Sequence, residues 1–215
     1  MKNISLICIM LFMTVSISSI HSMTDPKWSP DGRYIAFSDF YRQRVVLYDT
    51  IVGTSLALEG TATGGRLAQW SSDGSKLAFK VVQKQEDNQT RQAPAIWFSS
   101  KNEIRLLADV SSLSGNPVFS ANEQIAFTTG TQLRILNQDQ DETHRAELPS
   151  YANWIALHPH KPLAVYNDDN DALWLTDYHS GKHQRITPED QGYCRPMWSP
   201  DGNYLLISSL SGTLF

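Results

Sequence analysis

Two histidines one residue apart, His158 and His160 in His158-Pro159-His160, can share a strand face and hold a metal ion. The densest acidic run is Asn167-Asp168-Asp169-Asn170-Asp171, where Asp168, Asp169 and Asp171 with the amide oxygens could hold a hard cation. It lacks the full Asp-x-Asp-x-Asp-Gly pattern with a distal Glu. A run of Asn and Asp between two apolar segments reads equally as a solvated turn. His179 and His183 flank Ser180-Gly181, with no third ligand at a sensible spacing. Cys194 is the one cysteine after residue 22 and reads as a small apolar side chain rather than a nucleophile. No Gly-x-Ser-x-Gly elbow, Cys/His zinc spacing, phosphate loop or dinucleotide fingerprint occurs. The expectation from these residues is no catalytic set and no cofactor.

The elements that must position them come from a repeat. Trp28-Ser29-Pro30-Asp31-Gly32 returns as Trp198-Ser199-Pro200-Asp201-Gly202 and, with one change, as Trp70-Ser71-Ser72-Asp73-Gly74. Aligning Trp28, Trp70, Phe119, Leu157 and Trp198 gives spacings of 42, 49, 38 and 41 residues, a period that points to a propeller or solenoid. The long interval holds the polar run 83–92, which reads as an enlarged loop. Within each unit, Pro, Asp and Gly make a reversal between a first and a second strand. Alternating second strands follow, such as Tyr34-Ile35-Ala36-Phe37 and Lys76-Leu77-Ala78-Phe79. Ala36, Ala78, Ala126 and Ala164 mark a face approached closely by a neighbouring sheet, and the motif tryptophans pack between blades. The units at Phe119 and Leu157 reach the next apolar strand after six residues instead of seven, which predicts a tighter turn in both. Third and fourth strands complete four per unit, so the expected fold is an all-β propeller of four-stranded antiparallel blades, with little helix. In this register His158 and His160 replace a turn serine and aspartate. Trp154, in Tyr151-Ala152-Asn153-Trp154, falls outside the repeat register beside a channel-facing strand start; Trp154 and Tyr151 are the candidates for binding a partner.

These residues resemble the TolB-type propeller repeat: Trp-Ser-Pro-Asp-Gly, an Ile-Ala-Phe strand, a Val-Leu-Tyr-Asp strand and a closing Gln184-Arg185-Ile186-Thr187. The propellers of prolyl oligopeptidase-type proteins are similar. The resemblance covers nearly all of residues 26–215, with blades starting near 26, 68, 117, 155 and 196, and implies about four and a half blades. The fifth unit stops within its third strand, at Thr213-Leu214-Phe215. The expectation is therefore the front portion of a longer six- to eight-bladed protein, or an open ring completed by a partner.

Residues 1–22 read as a secretory signal: Met1-Lys2-Asn3 is a short basic start, Ile4 to Ile20 carries no charge, and Ser18, Ser19 and Ser22 are small. Their removal leaves 17 basic and 22 acidic residues, a net charge of −5, without the basic clusters that nucleic acid requires. A periplasmic or secreted location follows, with membrane contact only through an uncleaved signal. The functional expectation is an exported, non-catalytic propeller that binds a protein or peptide partner. The alternative is the N-terminal propeller portion of a larger prolyl oligopeptidase-like hydrolase; a propeller hydrolase with a channel cation stands third.

Overall fold

The computed structural model describes residues 23–39, 44–58, 68–84, 89–111, 113–188 and 192–209. Residues 1–22, where a signal is expected, and the strand expected at Thr213-Leu214-Phe215 lie outside them. The described residues are all-β and form five antiparallel sheets, the blades of an incomplete propeller. Blade 1 holds β1 (Met23–Trp28), β2 (Tyr34–Asp39), β3 (Arg44–Asp49) and β4 (Thr54–Leu58), paired in chain order. Blade 2 holds β5 (Gln69–Trp70), β6 (Lys76–Lys84), β7 (Thr90–Phe98) and β8 (Glu103–Leu106). Blade 3 is β9 (Val118–Phe119), β10 (Ile125–Thr129), β11 (Gln132–Leu136) and β12 (Glu142–Glu147). Blade 4 is β13 (Ile155–Leu157), β14 (Leu163–Asn167), β15 (Leu173–Asp177) and β16 (Lys182–Arg185), and blade 5 contributes β17 (Tyr193–Trp198) and β18 (Leu205–Ser209).

The repeated turn closes each first hairpin by side-chain hydrogen bonds. Ser29 Oγ accepts from the Tyr34 N–H at 2.8 Å and donates to Asp31 Oδ1 at 2.5 Å, while Gly32, at φ 74°, donates to the Ser29 carbonyl. Ser71, Asp73 and Gly74 repeat the arrangement, as do Ser199, Asp201 and Gly202. These bonds hold the Asp73 and Asp201 carboxyls at about 2, with the serine hydroxyl the largest cause. The third-to-fourth strand turns are built alike: Asp49 Oδ1 accepts from the N–H groups of Ile51 and Val52, and Asp177 Oδ1 from those of His179 and Ser180.

Alternation along the second strands sends one face to each neighbouring blade. Ala36 packs on blade 2 with Trp70 and Trp97, Ala78 on blade 3 with Phe127, and Ala126 on blade 4 with Tyr166. Phe79 and Phe127 are fully buried in these seams, and each contributes about 1.5–3 kcal/mol. The motif tryptophan adds a polar tie: Trp70 Nε1 donates to the Lys27 carbonyl at 3.1 Å, and Trp198 Nε1 to the Ala156 carbonyl at 3.3 Å. Both acceptors lie one residue before the motif position of the preceding blade. Trp28 departs from the expected between-blade packing. No described blade precedes it, and it is 60% exposed.

Two further expectations are corrected. The polar run 83–92 was expected to be a loop, yet β6 and β7 pair from Lys76↔Phe98 through Lys84↔Thr90. Ladder bonds are made by the backbone, so a hairpin nucleated by buried Val81 and Ala93 continues into polar sequence. In blade 4 the turn is not tighter. His158 N–H donates to the Leu163 carbonyl at 2.8 Å, the same five-residue reach as Ser29 to Tyr34, so Leu157 pairs with Ala164. In blade 3 the shorter reach does occur, and Phe119 pairs with Ile125. One residue of register exchanges the two faces of a strand. Ala164 therefore packs toward blade 3, and Val165 takes the place of the small residue, facing Tyr193 of blade 5.

Candidate functional site

The innermost strands enclose a cavity of about 500 Å³, to which all five blades contribute, including Lys27, Gln69, Asn116, Trp154, Arg195 and Met197. Gln69 Oε1 accepts from the Phe119 N–H at 2.8 Å, bridging blades 2 and 3.

Arg195 reaches this wall through an irregularity that β17 shares with β1. β1 reads Asp25-Pro26-Lys27-Trp28 and β17 reads Arg195-Pro196-Met197-Trp198. In each, pairing with the next strand skips a residue, between Thr24 and Lys27 and between Cys194 and Met197. A proline has no N–H for the ladder, so a bulge forms around it, and Asp25 and Arg195 both adopt φ 52°. The bulge turns these two residues out of the strand alternation. Sequence reasoning missed them, although a proline two residues before a motif tryptophan, inside a strand, was the available signal. Lys27 Nζ donates to the Ala68 carbonyl at 2.8 Å. Burial pushes its ammonium below the usual range; Asp25 pulls it back up, and Arg195 pushes it further down. The Arg195 guanidinium lies 5.2 Å from the centre of the Trp154 ring.

Of the two sequence candidates for binding, Trp154 lines the cavity and Tyr151 does not. Asn167 fixes Trp154 by its backbone, accepting from its N–H at 2.9 Å and donating to its carbonyl at 3.3 Å. Tyr151 instead donates its hydroxyl to the Ser114 carbonyl at 2.9 Å, beside a buried lysine. Lys80 Nζ reaches the same carbonyl at 3.0 Å and Asn153 Oδ1 at 3.4 Å. Burial lowers Lys80 to about 8 and raises Tyr151 to about 12.

Three of the metal candidates, Asp168, Asp171 and His158, are bonded within turns. Asp168 Oδ1 accepts from the N–H groups of Asn170 and Ala172, and its Oδ2 from Trp174 Nε1. Asp171 Oδ1 accepts from Asn167 Nδ2, and Asp169 faces Tyr151 electrostatically. His158 Nδ1 accepts from the N–H groups of His160 and Lys161, both at 3.0 Å, as Asp49 and Asp177 do in their turns. Its buried ring meets Trp198 at 4.7 Å between centres and presses on Gly202, where a Cβ would come within 2.5 Å of it. Asp31 bears on Gly74 in the same way between blades 1 and 2. Burial pushes His158 below the usual imidazole range, with Lys161 adding to the effect. His160 is exposed on the same turn. Among the described residues, no three His, Cys, Asp or Glu side chains converge. Cys194 is half-buried with Sγ 3.4 Å from Ser208 Oγ.

No family model matches the chain. It is 25% identical over 215 aligned positions to the uncharacterized peptidase YuxL of Bacillus subtilis (strain 168). The match takes in 90% of this chain, and the chain spans about 30% of that relative's length. A crystal structure of a eukaryotic initiation factor superposes with a TM-score of 0.58 at 14% identity, over 92% of this chain and 52% of that one. The second likeness speaks for the fold alone. The first overturns the expectation of a non-enzyme. Similarity to a peptidase along nearly the whole chain shifts weight to the hydrolase alternative, and the lack of a catalytic motif in these 215 residues does not offset it.

Proposed function

We propose that the chain is the propeller part of an exported peptide hydrolase, with TolB-like repeats of the kind carried by prolyl oligopeptidase-type proteins. The observation that supports this reading is the similarity to a Bacillus peptidase over 90% of the chain. In this role the channel admits an extended peptide. Trp154 offers an apolar face, and Arg195 beside it offers a guanidinium to a carboxylate of the peptide. Residues 1–22 direct the protein out of the cytoplasm, where peptides are the partner it meets.

The test is hydrolysis of a panel of chromogenic peptide anilides by the full-length gene product. Turnover is the expected result, with R195A and W154A raising KM for acidic peptides several-fold at unchanged kcat. No turnover of any peptide by the purified, folded full-length protein would overturn the proposal.

A further inference from the structure

His144 on β12 and His179 in the turn after β15 meet across the outer rim of the seam between blades 3 and 4. Their ring centres are 4.4 Å apart at an interplanar angle of 24°, and the two Nε2 atoms are 2.6 Å apart. At that separation the two Nε2 atoms are in hydrogen-bond contact, one nitrogen donating to the lone pair of the other.

Which nitrogen donates follows from Thr143. Its hydroxyl donates to the Ile135 carbonyl at 3.2 Å, so Oγ1 is left to accept from His144 Nδ1 at 3.1 Å. His144 thus carries its proton on Nδ1 and presents a bare Nε2. Metal-ligating histidines are oriented by such a bond on the other ring nitrogen. His179 is set from its own side: its backbone N–H and that of Ser180 bind Asp177 Oδ1 at 3.0 Å, which also brings a carboxylate close to the pair. Tyr178 closes one flank, with its ring 5.5 Å from His144 and 5.4 Å from His179.

We propose that His144 and His179 form a two-imidazole site for a divalent transition-metal ion such as Cu²⁺ or Zn²⁺, joining blades 3 and 4. The ion takes the Nε2 lone pair of each ring, and water completes its coordination. On binding, the proton on His179 Nε2 passes through solvent to Nδ1, so both rings stay neutral and the ion keeps its charge. Two nitrogens each about 2.1 Å from one ion lie roughly 3–3.5 Å apart, so the pair opens by less than about 1 Å. His179 can supply that movement because it sits exposed on a turn tip. Imidazole donors select copper, nickel or zinc over calcium and magnesium.

The experiment is a Cu²⁺ titration followed by paramagnetic resonance, using the purified chain and, in parallel, H144Q, H179Q, T143V and H183Q. The expected result is one ion per chain with two equivalent imidazole nitrogens at pH 7.5. H144Q and H179Q each weaken binding at least tenfold and leave one nitrogen, T143V weakens it several-fold at the same stoichiometry, and H183Q changes nothing. Calcium in large excess does not compete. Failure to bind copper, or binding indifferent to both H144Q and H179Q, would overturn the proposal.

Discussion

Replacing Lys80 by methionine should remove a pH dependence that the wild-type fold carries. The Lys80 ammonium is buried among Ser114, Asn153 and Tyr151 with two oxygen acceptors and, among the described residues, no carboxylate partner, and burial lowers it from 10.5 to about 8. The unfolded chain holds this proton up to the ordinary value, so between pH 8 and 10.5 it binds more protons than the folded chain. Stability therefore rises with pH across that window. A shift of about 2.5 units corresponds to roughly 3.4 kcal/mol in full, of which roughly 2 kcal/mol falls between pH 7 and pH 9.5. Tyr151 and Tyr166, both pushed up to about 12 by burial, oppose the gain only above pH 10. The substitution strands no acceptor, because Tyr151 still donates to the Ser114 carbonyl and Asn116 Nδ2 to Asn153 Oδ1. Urea unfolding at pH 7 and 9.5 reads the effect directly. Between the two, wild type should gain roughly 2 kcal/mol more than K80M, and K80M should be the more stable at pH 7. Equal pH dependence in the two proteins would refute the account of Lys80 as a buried, uncompensated cation.

Three other outcomes follow from the seams and turns. W70F, which removes the indole donor to the Lys27 carbonyl, should cost about 1 kcal/mol in urea unfolding, whereas W28F, at an exposed site, should stay within about 0.5 kcal/mol. G202A should cost more than G181A by calorimetry: both sit at positive φ, worth roughly 1–2 kcal/mol, but at Gly202 the new methyl also meets the fixed His158 ring, while at Gly181 it meets open space. His144 and His158 are both pushed down by burial, so they bind fewer protons than in the unfolded chain, and stability should fall as pH drops from about 6.5 toward 5. H158S, which restores the ordinary turn residue, should flatten that acid limb in a pH series of melting temperatures.

The blade count, strand order and turn chemistry were legible because they depend on local sequence: a Pro-Asp-Gly reversal and an alternation of period two say nearly the same thing wherever they occur. Register in blade 4 was not legible. It depends on how His158 spans its turn, and counting residues from Leu157 cannot distinguish a reach of six from one of seven without that hydrogen bond. The extension of β6 and β7 was hidden for a related reason, since side-chain polarity does not report what a backbone ladder will do. Trp154 stood out by its departure from the repeat, and it lines the cavity. Arg195 was overlooked because its aim comes from a bulge. The His144–His179 contact joins residues 35 positions apart on two blades, and no spacing rule along one strand brings them together.

The pressing of His158 on Gly202, and of Asp31 on Gly74, bears on how such a chain can change over generations. The glycine in one blade is required partly by a side chain in the blade before it, so neither position drifts alone. A duplicated or exchanged segment cut at blade boundaries would separate the two halves of that fit and bring a bulky turn residue against a mismatched neighbour. A segment cut through the middle of two successive blades would carry both halves along. The heritable unit of this architecture is accordingly the junction between blades, and recombination that respects junctions should yield folded chimaeras more often than recombination that respects blades.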